Sequence, residues 1–372
     1  GATVTGTLTA TAFSGDGSAL TGLSTGVTSD AQQNTVAGTN AGDSFSGTGA
    51  ERNTLIGYNA GTAITTADDN TAVGRDALKT AATANNNTAI GKSSLADNDS
   101  GTNNTAVGYN SALANSSGGN NTAIGSDAMR LNTSGGNNVA LGYRALYNNT
   151  TASQNTAIGK DALRANQTGY SHTAVGHGAL DTVNGGYACQ AFGVDALKSV
   201  TTGVNNCAFG FNAGGNINTG NHNITIGNNA GDAITTGNGN TIMGTYAATT
   251  RTTGSNLTAI GYAAAHNSNN TDQCVAIGDN SQYQCVSGIN NVSVGTNALY
   301  SCTSSNNTAV GRYANMLLTT GDQTTSIGHN SGYHSTTGTY NINLGAAAPT
   351  NATASYQITL GNTGHNNLRC ND

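Results

Sequence analysis

The amino-acid sequence predicts an all-β parallel β-solenoid, which is a rod of stacked coils with a seventeen-residue repeat. Three observations predict this fold. Glycines recur once per repeat, the residues before each glycine alternate between larger and smaller side chains, and turn-forming residues fill the rest of each unit. A repeat of this regularity indicates an architecture in which each unit packs only against its two neighbours.

The repeat is defined by the glycine that closes segments such as Asn-Thr-Ala-Ile-Gly. From Gly57 to Gly295 this glycine occurs at a constant step of seventeen, and from there to Gly361 the steps are 16, 17, 17 and 16. The series therefore contains 19 copies. We call the glycine position 5 and number each coil from it. A glycine at a fixed position indicates a backbone with positive φ, or one that approaches another backbone too closely for a Cβ.

Positions 2 to 4 predict a short strand because their side chains alternate with a period of two. Position 2 is mostly β-branched, position 3 is usually alanine and position 4 is large and apolar, as in Thr122, Ala123 and Ile124. Positions 2 and 4 share one face, and position 3 points the other way. We expect positions 2 and 4 to join a frequent leucine at position 9 in the core. We expect the alanine row to lie against other copies of the chain, since small side chains permit close approach.

The remaining positions carry turn residues and a row of asparagines. Segments such as 116–120 and 133–137 combine Ser or Thr with Gly and Asn, as turns do. Each coil has room for two short strands and two turns, with every strand paired in parallel to its own copy. Asparagine at position 1 predicts an amide ladder along the rod. A strand spacing of about 4.8 Å gives a rod roughly 90 Å long.

The chain divides into a connector, one repeat domain and a short tail. Residues 1–30 lack the repeat signal and are rich in Thr, Gly and Ser, as expected for a connector to a preceding module. Residues 31–361 are predicted to form the repeat domain, with a degenerate first turn at 31–50 that would cap the solenoid. Residues 362–372 leave the pattern and form a C-terminal tail.

The composition argues against several classes of function. Charged residues make up 8% of the chain and the formal net charge is −6. No basic cluster is present, so nucleic-acid binding is not expected. No apolar stretch approaches the roughly 20 residues of a membrane helix, so we expect no membrane insertion. The six cysteines form no CxxC pair, and we predict no metal site and no cofactor.

Position 6, directly after the glycine, provides the candidates for contact with a receptor. Aromatic and basic side chains recur there and would form a ridge along the rod, comprising Tyr58, Arg75, Lys92, Tyr109, Tyr143 and Lys160. Aromatic faces and cations suit sugars and anionic surfaces. The same long side chains would also be suited to cover the joint between adjacent chains. The sequence leaves both interpretations open.

The acidic and histidine residues give little support for catalysis. Asp161 and Asp195 both occupy position 7, but two coils separate them by about 10 Å. That distance slightly exceeds the separation of an inverting glycosidase pair. We predict no catalytic residues and no enzyme activity. The seven histidines fall at different positions of the coil, and we expect them to lie in solvent.

One pair of cysteines is predicted to be close in space. Cys285 and Cys302 are one full repeat apart and occupy the same position on successive coils. Their Cα atoms would lie about 5 Å apart, within the range of a disulfide. The pair is therefore either a disulfide or two neighbouring free thiols. Cys189 and Cys207 are offset by one residue in the repeat, so they are expected to point to opposite faces.

The repeated unit resembles the head repeat of trimeric autotransporter adhesins. That family repeats Asn-Ser-Val-Ala-Ile-Gly-x-x-Ser. Segment 120–125 reads Asn-Asn-Thr-Ala-Ile-Gly and is followed by Ala128. This chain differs in its longer turns and in Thr where the family prefers Val. The resemblance covers roughly residues 50–362. It implies a left-handed parallel β-roll that assembles as a homotrimer.

Similar rolls occur in phage tail fibres, and both ends of the chain favour that version. Residues 13–23 resemble a short element common in such fibres, and residues 358–372 resemble the stretch just before an endosialidase-type intramolecular chaperone. The resemblance implies an extracellular virion tail fibre that joins a preceding fibre or baseplate module and binds a host-surface glycan or protein. The alternatives are the head of a bacterial cell-surface adhesin and a polysaccharide-cleaving tailspike.

Overall fold

The computed structural model of the chain describes residues 28–46, 49–269, 272–348 and 351–362. In these ranges the regular elements are short β-strands joined by turns and bends. The connector predicted at 1–30 and the tail predicted at 362–372 lie almost wholly outside the described residues, as does the fibre-like element at 13–23.

The strands in chain order are β1 Thr28–Ser29, β2 Thr35–Ala37, β3 Thr54–Ile56, β4 Thr71–Val73, β5 Thr88–Ile90, β6 Thr105–Val107, β7 Thr122–Ile124, β8 Val139–Leu141, β9 Thr156–Ile158, β10 Thr173–Val175, β11 Gln190–Phe192, β12 Cys207–Phe209, β13 Ile224–Ile226, β14 Thr241–Met243, β15 Thr258–Ile260, β16 Val275–Ile277, β17 Val292–Val294, β18 Thr308–Val310, β19 Thr325–Ile327, β20 Ile342–Leu344 and β21 Ile358–Leu360.

Strands β2 to β21 form one parallel sheet in which each strand pairs with the next in chain order. The pairing keeps the repeat in register, so that Ala123 lies beside Ala140 and Ile124 beside Leu141. At the N-terminal end β1 pairs antiparallel with β2. The predicted parallel β-solenoid with a seventeen-residue coil is therefore confirmed.

Each coil contains one three-residue strand, and its second leg consists of turns and bends instead of the second strand that we expected. The reason lies in the backbone at positions 7 and 9, which adopts positive φ even without glycine. Arg144 and Leu146 have φ of 56° and 52°, a left-handed conformation that interrupts an extended strand. Backbone hydrogen bonds still join the second legs, as from Leu146 N–H to the carbonyl of Ala162 at 3.0 Å.

The glycine at position 5 is required for both of the predicted reasons. Gly125 has φ of +135°, and a Cβ built there would lie 2.6 Å from the carbonyl oxygen of Gly142 in the next coil. The same contact with the following glycine recurs along the rod, for example at Gly57, where the carbonyl oxygen of Gly74 lies 2.5 Å away.

The core of the coil is formed by positions 1, 3, 8, 9 and 12, and this corrects our assignment of the two strand faces. Ala123, Ala128 and Met129 are fully buried, whereas Thr122 and Ile124 point outward. The prediction that the alanine row lies against other copies was wrong. The two legs of the coil lie so close together that the inward side of the strand has room mainly for alanine.

Two amide ladders run inside the rod. At position 1, Asn138 accepts the backbone N–H of Asn155 at 2.9 Å through its side-chain oxygen, as the sequence predicted. At position 12 a second ladder, which we did not predict, links Asn115, Asn132 and Asn149 through side-chain amide bonds of 2.6 and 2.7 Å. These bonds satisfy polar groups that the thin core could not leave unpaired.

Candidate functional site

The outward side of the sheet carries an unbroken row of large apolar side chains. At position 4, Ile124, Leu141 and Phe209 are 38, 44 and 42% exposed, and the rings of Phe192 and Phe209 stack with centroids 4.6 Å apart. Position 2 adds a parallel row of mostly half-buried threonines. We call positions 2 and 4 of β3 to β21 the apolar face. Soluble monomers rarely expose so long an apolar surface, which makes it a candidate interaction site.

The six ridge candidates lie in one row at position 6, directly beyond the glycine. The guanidinium of Arg75 lies 5.7 Å from the ring centroid of Tyr58, and Lys92 Nζ lies 5.5 Å from that of Tyr109. The structure thus brings four of the candidates together as two cation–π pairs on adjacent coils. Tyr58 and Tyr109 remain about half exposed, so their outer surfaces are open to a partner.

The other two ridge candidates are engaged by residues at position 7. Arg144 lies 4.9 Å from the ring centroid of Tyr143, and Lys160 Nζ lies 3.8 Å from a carboxylate oxygen of Asp161. Tyr143 and Lys160 are each about half exposed. Tyr143 and Lys160 sit on successive coils, but each is held by its own neighbour in the chain and the two do not form a cation–π pair of their own.

A cluster beside the ridge was missed by the sequence analysis. Arg130 donates to the hydroxyl of Tyr147 at 2.9 Å, and Arg144 lies 5.6 Å from the Tyr147 ring centroid. Arg130 and Tyr147 occupy position 10 of successive coils, so their spacing of one repeat was a signal in the sequence. The cluster extends the basic and aromatic surface from position 6 onto the second leg.

Cys285 and Cys302 lie inside the rod at position 12, one above the other. Both are fully buried, both are thiols in the structure, and a hydrogen bond joins them. This bond from Cys285 lowers the pKa of the Cys302 thiol to about 7 and raises that of Cys285 well above its ordinary value. The amide nitrogen of Asn307 lies 3.6 Å from the Cys302 sulfur. Whether the pair becomes oxidised stays a prediction.

His172 departs from the expectation that the histidines lie in solvent. It replaces asparagine at position 1 and is fully buried. Its backbone N–H donates to the side-chain oxygen of Asn155 at 2.9 Å, and its Nδ1 accepts the backbone N–H of Cys189 at 3.3 Å. Burial lowers the pKa of His172 to about 4. The ring therefore takes over the accepting role of the missing amide and is neutral at pH 7.

Asp161 and Asp195 at position 7 each pair with a nearby lysine. Lys160 lies near Asp161, and Lys198 Nζ lies 3.1 Å from a carboxylate oxygen of Asp195. Within the described ranges, no three His, Cys, Asp or Glu side chains are grouped so that they could hold a metal ion. In those same ranges, no helix has the length and apolar character needed to cross a membrane.

Comparison of the chain with protein-family models, with curated proteins and with solved structures finds no match. The solenoid fold rests on the strand pairing described above.

Proposed function

We propose that this chain is a structural segment of a homotrimeric fibre on a virion tail or another surface appendage. In this proposal the segment is a rigid extracellular rod that contributes to host attachment and carries no catalytic site. The rod is joined to a preceding fibre or baseplate module. The observation that carries the proposal is the apolar face, which extends over every coil from β3 to β21.

Copies of the same chain are the partners that suit this face. Its apolar rows repeat once per coil, at about the 4.8 Å spacing of paired strands. A second copy of the rod offers the same repeat over the same length, so every coil finds an equivalent contact. Apolar burial of this kind is typical of permanent homo-oligomers. The number of copies, three, is what the resemblance to adhesin and tail-fibre rolls implies.

The attachment part of the proposal rests on the position 6 ridge. Its cation–π pairs present aromatic edges and positive charge at the side of the rod. Such surfaces suit glycans and anionic groups. The exposed cations are concentrated at one end, since Arg312 is the one exposed Lys or Arg of the described chain beyond Lys198.

A pair of matched substitutions tests the oligomer. Ile124 and Leu131 belong to one coil and are both 38% exposed, but Leu131 lies on the second leg and not on the apolar face. We expect Ile124→Asp to lower the native mass or the dissociation temperature of the assembly, because a carboxylate would be buried without a partner. Leu131→Asp should leave both unchanged. Equal effects of the two substitutions would contradict an interface at the apolar face.

The ridge is tested with an immobilised anionic polysaccharide, dextran sulfate, as the probe. We expect Arg75→Ala with Lys92→Ala to weaken retention and to reduce its dependence on salt. The control is Arg52→Ala, because three carboxylates lie within 3.8 Å of the Arg52 guanidinium, whereas Arg75 pairs with one, that of Asp76 at 3.0 Å. If the double variant loses its native mass but keeps retention, the ridge covers the joint between chains instead.

A bacterial surface adhesin head is the second candidate, because the repeated unit resembles the head repeat of that family. The two candidates share the trimer and differ in the adjoining sequence. A chaperone domain encoded after Asp372 would favour the virion fibre. A coiled-coil stalk and membrane anchor would favour the adhesin.

A further inference from the structure

A groove of about 480 Å³ crosses four coils on the second leg of the rod. Position 11 of these coils contributes Thr250, Asn267, Gln284 and Ser301 to its lining. Positions 9 and 12 of the second leg point into the core, as position 3 of the strand does. The outward residues of the two legs therefore face in opposite directions, and the groove opens on the side away from the apolar face.

A stack of three rings lies next to the groove on the same leg, outside the residues that line it. His266, Tyr283 and Tyr300 occupy position 10 of successive coils, each one residue before a side chain that lines the groove. The ring centroids are 4.9 and 5.2 Å apart and the planes differ by 17° and 11°. Stacking of this geometry is a favourable arrangement for aromatic rings.

Two polar side chains of the groove are not used by the fold. Thr250 and Thr303 donate their hydroxyls to backbone carbonyls of the next coil at 2.9 and 3.0 Å. Val286 adds an apolar side chain to the lining. The Gln284 side-chain amide and the Ser301 hydroxyl have no hydrogen-bond partner among the described residues. The lining thus offers donors and acceptors that the fold itself does not use.

We propose that this groove binds a neutral oligosaccharide, an inference that rests on the proposed attachment function and gives it a second site. Amides and hydroxyls match the hydroxyl groups of sugars, and the Val286 side chain offers an apolar contact for their C–H surfaces. The lining contains no charged side chain, which favours neutral sugars over anionic ones. Three strand spacings give the groove a length of about 14 Å, enough for a short linear chain.

The experiment is a screen of short neutral hexose and N-acetylhexosamine chains by saturation-transfer NMR with the unmodified protein. The groove variant is Asn267→Ala with Gln284→Ala. The matched control is Asn148→Ala with Asn216→Ala, which occupy the same position 11 in coils away from the groove. We expect binding of at least one saccharide by the unmodified protein and the control variant. The groove variant should bind it about tenfold more weakly, since two hydrogen bonds are lost.

Several results would overturn the inference. One is that the unmodified protein binds no saccharide. Another is that the groove variant and the control variant lose the same amount of saccharide binding. A third is that the groove binds only peptides. The native mass of each protein shows whether a failure concerns the groove or the fibre proposal. A trimer without saccharide binding would contradict the groove proposal and would be consistent with the fibre proposal. A monomer that binds saccharide through the groove would contradict the fibre proposal and support the groove proposal.

Discussion

The backbone N–H of Asn155 donates to the side-chain oxygen of Asn138 in the preceding coil, over 2.9 Å. Asn138 in turn donates through its amide nitrogen to the carbonyl of Ala152 at 2.9 Å. One side chain therefore satisfies a buried donor in the next coil and a buried acceptor in the last turn of its own coil. Repetition of this relationship allows turns with little apolar core to stack in a fixed register.

The first prediction is that Asn138→Ala destabilises the rod by about 1–3 kcal/mol, since it leaves the Asn155 N–H buried without an acceptor. Thermal and urea unfolding would measure the loss. Asn184→Ala is the control, because Asn184 is exposed and its side chain makes no hydrogen bond within the described residues. A loss of similar size in the control would contradict a specific role for the ladder.

The second prediction concerns the stacked glycines. We expect Gly125→Ala to cost at least about 1–3 kcal/mol, because its φ of +135° strains an L-residue and its Cβ would contact the Gly142 carbonyl. Gly185→Ala should change stability by less than about 0.5 kcal/mol, since a Cβ there has no neighbour within 4 Å. Melting temperatures of the two variants test the difference. A neutral Gly125→Ala would contradict the close coil-to-coil packing.

The third prediction is an acid-sensitive coil at His172. The folded pKa is about 4 and the ordinary value is 6.5, so between these values the unfolded chain binds more protons than the folded one. Stability should therefore fall as the pH drops from about 6.5 to about 4, by up to about 3 kcal/mol. His172→Asn should remove this dependence, because an amide continues the ladder. His222→Asn, at an exposed site, should preserve it, and an unchanged pH profile in His172→Asn would contradict the assignment.

The fourth prediction is that Cys285 and Cys302 form a disulfide when the protein is produced under oxidising conditions. Their stacked positions match disulfide geometry. Closing a loop of one repeat should stabilise the chain by about 3 kcal/mol. Peptide mass mapping with and without reductant would identify the link, and Cys302→Ser should abolish it. A disulfide joining other cysteines would contradict the prediction.

The strand, its register and the glycine row could be predicted from the sequence because each depends on the repeat alone. Segment 122–125 carries all three signals. The inward face could not be predicted in the same way. Alternation states that Thr122 and Ile124 share a face, but it does not say which face is inside. The usual preference for burying large residues gave the wrong answer, since the buried Met129 at position 9 fills the space between the two legs and leaves room for Ala123. Where position 3 is larger, as at Ile242, position 9 is small.

Of the two candidate surfaces, the ridge could be predicted from the sequence and the groove could not. The position 6 ridge follows from the repeat, because equal positions on successive coils must form a row. The oligosaccharide groove could not be anticipated. It depends on which side of the second leg is open and on which amides lack a partner, as at Gln284. The spacing of Tyr283 and Tyr300 was visible in the sequence, but their place next to the groove appears only in the structure.

The central claim, that the apolar face is an interface between copies of this chain, is tested most directly by native mass. Light scattering of the purified protein at low concentration measures it without labels or substitutions. The account predicts a trimer, about three times the chain mass of 37.0 kDa. A stable monomer would contradict it, because the row through Ile124 and Leu141 would then remain exposed to water along the whole rod.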